Sequence, residues 1–228
     1  MNKHQSIYDS IIKNGYQNRD TFFEFEIEHV SGKHRRYHSF YVDNLFDKIS
    51  SLEIEVLSRF RKKDRILDIG AGAGRVSMYL QKKGYNITAL EKSAVICNIL
   101  RKRGIKKVVK TDIFKYLPKK KYDVVLFINV YSVFGKKKEN ITKLLNFLKE
   151  KILNKNGELI FILKESGSKR IEVIKRRFIF KEKIGPWFES IYPFAKDITK
   201  LAKKSGFFVK KFEEDEFNKY FLILKNKS

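Results

Sequence analysis

The sequence predicts a doubly wound α/β fold: a seven-stranded, mostly parallel sheet closed by a C-terminal antiparallel hairpin, with an N-terminal helix and hairpin laid over it as a cap. Three observations predict it. From residue 64 onward, short apolar strands alternate with amphipathic helices, the pattern of right-handed crossovers in a parallel sheet. The run Ile66-Leu67-Asp68-Ile69-Gly70-Ala71-Gly72-Ala73-Gly74-Arg75 puts three alternate glycines where the first of those strands turns into a helix. The two final strands, 207–212 and 220–224, lie too close together for a crossover helix and must pair as a hairpin.

Taken in order, Ile7, Tyr8, Ile11 and Ile12 recur at helical spacing, and Asn14-Gly15 is expected to stop that helix. Residues 23–28 alternate with period two, Ser31-Gly32 supplies a turn, and 34–42 is the returning strand. One amphipathic helix is expected over about 44–60, which completes a cap of residues 1–60 on a main domain of 61–228. There, strands are expected at 65–69, 86–90, 107–109, 122–128 and 158–163, and helices at 75–83, 93–102, 141–153 and 195–204, the last ended by Gly206. The run from Tyr122 to Ile128 is apolar but for Asp123, as a strand buried on both faces is. An acidic turn, Glu213-Glu214-Asp215-Glu216, joins the last two strands.

With 228 residues and 43% apolar composition, the chain can build a core without staples. Cys97 is the sole cysteine, so intrachain disulfides and cysteine-rich metal sites are excluded, and a reducing compartment is expected. The apolar runs fall far short of the roughly 20 residues of a membrane helix. No apolar stretch follows Met1–Gln5, so no signal peptide is expected and the location expected is cytoplasmic. The net charge of +24 reads in two ways. It can attract a polyanion, or it can reflect biased composition, since 38 Lys outnumber 12 Arg and are scattered rather than gathered into an Arg-rich stripe. Weak, non-specific binding to RNA or DNA is expected, and no membrane partner.

The glycine loop carries the strongest chemical signal. Glycines remove Cβ atoms, so a ligand can approach the backbone, and the helix that follows adds free N–H groups. A dinucleotide fingerprint would need glycine at the sixth position from Gly70, where Arg75 stands. No Gly-Lys-Ser/Thr follows either, so a P-loop is excluded. Glu91 ends the second strand 21 residues after Gly70, and Asp112 follows the third after 21 more. Each acid also has a purely local explanation: Asp68 holding the loop, Glu91 capping the next helix, Asp112 closing a turn.

In this pattern the sequence resembles the class I S-adenosylmethionine-dependent methyltransferases, over about residues 61–228. Asp68-Ile69-Gly70-Ala71-Gly72-Ala73-Gly74 matches their first motif, and their closing hairpin matches the last two strands. The resemblance implies S-adenosyl-L-methionine as cofactor, held by Asp68, Gly70, Ala71, Gly72, Gly74, Arg75, Glu91, Lys92, Asp112, Ile113 and Asn129. Within it, Glu91 accepts both ribose hydroxyls, Asp112 holds the adenine amino group, and Ile113 packs on the ring.

The substrate is less legible. The fourth strand exits through Asn129-Val130-Tyr131, without the prolines of many enzymes that methylate exocyclic base amines. Cys97 sits far from any position for cytosine C5 chemistry, and too few acids gather at the strand ends for a catalytic metal. Asn129, Tyr131 and His38 are the catalytic candidates, with His34 a further candidate base. Tyr37, Tyr41, Tyr131, Trp187 and Phe188 are candidates for the acceptor pocket. That pocket would lie between the cap and the segment Ser166-Gly167-Ser168, the basic strand-like stretch 175–180 and Gly185-Pro186-Trp187-Phe188; some small bacterial class I methyltransferases carry a similar Gly-Pro-Trp-Phe run. The expected activity is methyl transfer to an O, N or S nucleophile of a small molecule, with an RNA or DNA methyltransferase as the alternative.

Overall fold

The computed structural model describes residues 3–29, 35–164, 171–192, 194–214 and 219–226. His34, the turn expected at Ser31-Gly32, residues 166–168 and the far end of the expected acidic turn lie outside them, as does the side chain of Tyr37. Helix α1 (Lys3–Gln17) runs past Asn14-Gly15. Gly15 does not end the helix but lets it pack closely, because a Cβ there would collide with Val42 and Phe46. Strands β1 (Phe22–His29) and β2 (Arg35–Tyr41) form the expected antiparallel hairpin.

In place of one helix over 44–60 there are two, α2 (Asp43–Phe46) and α3 (Ser51–Leu57). Ser50 causes the break. Its backbone is extended, its hydroxyl accepts from the Glu53 N–H, and the Glu53 carboxylate accepts from the Ser50 N–H.

The main domain follows as β3 (Arg65–Ile69), α4 (Arg75–Lys82), β4 (Asn86–Glu91), α5 (Ala94–Lys102), β5 (Val108–Lys110), β6 (Tyr122–Ile128) and α6 (Lys138–Phe147). A π turn over Leu148–Ile152 leads directly into β7 (Leu153–Lys164), which therefore starts earlier than its apolar run suggests. Next come β8 (Glu172–Phe180), β9 (Lys183–Ile184), β10 (Phe188–Tyr192), α7 (Ala195–Lys204), β11 (Phe207–Glu214) and β12 (Lys219–Asn226).

Seven strands pair in the order β11-β12-β7-β6-β3-β4-β5, parallel except at β12, which is antiparallel to both of its neighbours. The order reverses between β3 and β6, the switch point at which doubly wound sheets bind ligands. Alternation along β6 explains the two-sided core. Val125 and Phe127 pack with Leu144 of α6 and Ile198 of α7, while Val124 and Leu126 pack with Val56 of α3 and Leu80 of α4. Each such fully buried side chain contributes about 1.5–3 kcal/mol. Cys97 lies inside the core, on α5.

The cap differs from a lone hairpin. β1 pairs on its other edge with β8, and β8 with β10, so a second antiparallel sheet, β10-β8-β1-β2, draws strands from both ends of the chain. Its charged seam is closed by Glu26, fully buried, which accepts from Arg177 Nε at 2.6 Å. Among the described residues, no helix is long and apolar enough to cross a membrane.

Candidate active site

Where β3 ends, the backbone enters the left-handed region at Gly70, Gly72 and Gly74, with φ of 66°, 53° and 84°. The N–H groups of Gly70 and Ala71 both donate to the Leu90 carbonyl, at 2.9 and 3.1 Å, which ties the loop to the end of β4. A Cβ at Gly74 would stand 2.5 Å from both Leu100 and Ile105, so that glycine packs the loop down on α5. A Cβ at Gly72 would meet only ordinary contacts, the nearest Tyr8 Oη at 3.5 Å, and the residue lines the cavity described next.

Two carboxylates organise the loop from below. Asp68 is buried and accepts from Ser77 Oγ at 2.6 Å; burial raises its pKa to about 6 in spite of that bond. Glu91 is 7% exposed, and burial raises its pKa against the backbone N–H groups that it accepts. Its Oε1 accepts from Lys92 and Ser93 at 2.8 and 3.0 Å, and its Oε2 from Gly72 at a longer 3.3 Å. The capacity left on Glu91 therefore lies mainly on Oε2, less than the two-oxygen ribose contact that the resemblance implies.

A cavity of about 650 Å³ opens over this loop at the carboxyl ends of β3 to β6. Gly70, Gly72, Glu91, Lys92, Asp112, Ile113, Asn129, Tyr131 and Phe188 all line it, so nine of the anticipated residues come together. Asp112 is exposed at the rim and caps a 3₁₀ turn by accepting from the Phe114 N–H at 2.9 Å, above the buried Ile113. Asn129 takes a left-handed φ of 56° and donates its N–H to the Ile162 carbonyl, at 2.9 Å.

Other anticipated residues lie elsewhere. Asp68, Ala71 and Gly74 shape the loop without lining the cavity. Arg75 turns away from it, toward Glu53 of α3 and the Lys48 carbonyl, because a buried carboxylate there attracts it more strongly than open space does. His38 stacks on Phe25 and Phe40 in the cap sheet, and no histidine is among the described residues that line the cavity. Tyr41 is 59% exposed, edge-on to Phe22, and Trp187 lies under the Arg177 guanidinium, with Cζ 4.6 Å from its ring centroid.

Several lining residues escaped the sequence reading. Gln5 and Tyr8 reach the cavity from α1, and Ser190 from the cap sheet, whereas Arg176 and Phe178, also on its wall, belong to the stretch 175–180 expected to shape the acceptor pocket. Tyr8 is half-buried, and desolvation followed by the charges of Glu91 and Asp9 pushes its pKa well above the ordinary tyrosine value. Its place in the Ile7-Tyr8-Ile11-Ile12 stripe marked a packed face but not what that face covers.

Comparison with known proteins agrees with this arrangement. Residues 38–209 match the family profile described as a methyltransferase domain. Among solved structures, an S-adenosylmethionine-dependent methyltransferase from Bacteroides fragilis, in complex with S-adenosyl-L-homocysteine, is similar over 100% of this chain and 98% of its own, with a TM-score of 0.80 and 19% identity. One from Clostridium acetobutylicum is similar over 72% of this chain and 85% of its own, at 0.55 and 14%. The glycopeptide N-methyltransferase MtfA, complexed with S-adenosyl-L-methionine, is similar over 75% and 84%, at 0.59 and 16%. Comparison with curated protein sequences finds no match.

Proposed function

The chain belongs to the methyltransferase-domain family, and on that premise we propose that it moves the methyl group of S-adenosylmethionine to an O, N or S nucleophile of a small molecule. The observation that carries the acceptor class is the second sheet. Arg176, Phe178, Phe188 and Ser190 line the same cavity as the glycine loop, so its volume of about 650 Å³ has to hold both the cofactor and its acceptor, which favours a small acceptor.

The residues present fit the cofactor. Gly72 lines the cavity, Glu91 Oε2 keeps capacity for a ribose hydroxyl, and Asp112 with Ile113 offers a polar edge beside an apolar floor. When bound, the cofactor supplies a methyl group already activated on a sulfonium. What this chain then has to provide is placement, because holding a nucleophile in line at about 3 Å accounts for much of the acceleration. Asn129 and Tyr131, at the exit of β6, are placed to orient the acceptor. With no described histidine on the wall, the proton leaving the nucleophile goes to water or to a tyrosine such as Tyr131.

Two measurements test the reading. Calorimetry is expected to show S-adenosylhomocysteine binding at micromolar affinity and no binding of NAD; the opposite result overturns it. Filter binding against total cellular RNA at two salt concentrations separates the acceptor classes. Binding that fades to about 10⁻⁴–10⁻⁶ M at physiological salt fits dispersed lysines, whereas salt-resistant binding near 10⁻⁸ M would make the acceptor a nucleic acid.

A further inference from the structure

Arg176 presents an unmet requirement inside the cavity. Its guanidinium lies over two tyrosines, with Cζ 4.6 Å from the Tyr131 ring centroid and 5.2 Å from that of Tyr192. The two rings are themselves stacked, 4.8 Å apart. Among the described residues, Nε and Nη2 are buried without a hydrogen-bond partner. Among the described residues no carboxylate is paired with the group: burial lowers its pKa, and Tyr131 and Tyr192 oppose that shift. The other cations of the cap seam differ, since Arg177 is paired with Glu26 and Lys175 with Glu28.

A second orphan stands beside it. Ser190 is 1% exposed, and its Oγ also has no hydrogen-bond partner. The register explains the proximity. Phe188 lies opposite Arg176 across the β8–β10 pair and Ser190 opposite Ile174, so all four share the face turned to the cavity. Buried donors are almost always satisfied, and leaving a charged one bare is costly. Aromatic faces hold a guanidinium in place but cannot take its N–H bonds. What these donors suit is an oxyanion, which accepts two parallel N–H bonds from the guanidinium fork and a third from a hydroxyl.

We infer that the methyl acceptor carries an anionic group, a carboxylate or a phosphate, that is seated on Arg176 and Ser190 while the apolar body of the molecule lies against Phe178 and Phe188. The inference rests on the methyl-transfer reading above and adds its substrate class. It places the anion on the cap sheet and leaves the nucleophile to the space beside Asn129 and Tyr131.

Ligand-observed NMR on the full chain saturated with S-adenosylhomocysteine tests it, with benzoate, phenyl phosphate and benzyl alcohol as probes. At least one acid is expected to bind about tenfold more tightly than the alcohol, and the tighter of the two identifies the oxyanion. Arg176→Gln, with folding checked by its thermal melt, is expected to remove the preference. Should that variant not fold, Arg176→Lys and Ser190→Ala carry the test, each expected to weaken the acid about threefold or more without weakening the alcohol. Equal binding of acid and alcohol, no binding of either acid, or a preference that survives these substitutions overturns the inference. Failure to bind S-adenosylhomocysteine at all would overturn the methyl-transfer reading and this inference with it, whereas cofactor binding without an acid preference overturns this inference alone.

Discussion

Arg75 forks onto Glu53, with Nη1 2.6 Å from Oε2 and Nη2 2.7 Å from Oε1. The pair joins the first turn of α4 to α3, and Lys219 of β12 adds a second cation 3.4 Å from Glu53 Oε1. Burial works to raise the Glu53 pKa, but the bonds and charge of Arg75, helped by Lys219, outweigh it and hold the group at about 2.

The first prediction concerns that pair. Removing one partner of a buried ion pair strands the other, so Arg75→Ala should cost about 3–5 kcal/mol in urea unfolding at neutral pH. A loss below about 1 kcal/mol would mean that the pair behaves as a solvated one. The pH dependence has a definite sign. Glu53 titrates lower in the folded chain than its ordinary 4.5, so its stabilisation is complete above that value and drains away as pH falls toward 2. Glu53→Gln should flatten this part of the acid-unfolding curve.

The loop glycines should separate by effect. Gly74→Ala drives a methyl group to 2.5 Å from Leu100 and Ile105 and is expected to cost about 1–3 kcal/mol through overpacking, read as a lower Tm. Gly72→Val meets no such wall, yet its side chain fills the approach to the backbone. It should abolish S-adenosylhomocysteine binding in calorimetry, alongside a loss of stability from the strain of a β-branched residue at φ 53°. Retained binding by Gly72→Val would show that the ligand does not cross this loop.

At Glu91, substitution by Ala should weaken S-adenosylhomocysteine by about 1.5–3 kcal/mol, the range for a hydrogen bond to a charged group. Calorimetry measures it directly, and an unaltered affinity would remove Glu91 from the cofactor site.

The sheet was readable in advance because its signals are local. Tyr122–Ile128 is apolar but for Asp123 and appears as a strand with those bounds, and Ala195–Lys204 carries its amphipathic period from end to end. The glycine loop with Glu91 and Asp112 was readable for the same reason, since spacing along alternating strands fixes which residues reach one edge. The cap was not. Nothing near Phe25 or Glu26 announces that they pair with Phe178 and Arg177, because that register depends on residues far away in the chain. Arg75 was misplaced likewise: its partner Glu53 belongs to a helix whose start depends on the Ser50 cap, hidden within what reads as one continuous amphipathic stretch.

The same long-range pairing has a consequence for biosynthesis. Glu26 and Arg177 are 151 residues apart in sequence, so β1 leaves the ribosome well before the strand that completes it. At roughly 5–20 residues per second, the hairpin waits on the order of 8–30 s with one edge and a carboxylate uncovered. The nucleotide-fold strands β3 to β6 emerge within that interval and can consolidate first, their pairings being closer in sequence. A nascent chain arrested before residue 172 would therefore hold a central sheet still without β11 and β12 and an unsealed cap, a form open to proteases and to pairing with other chains along the edge of β1.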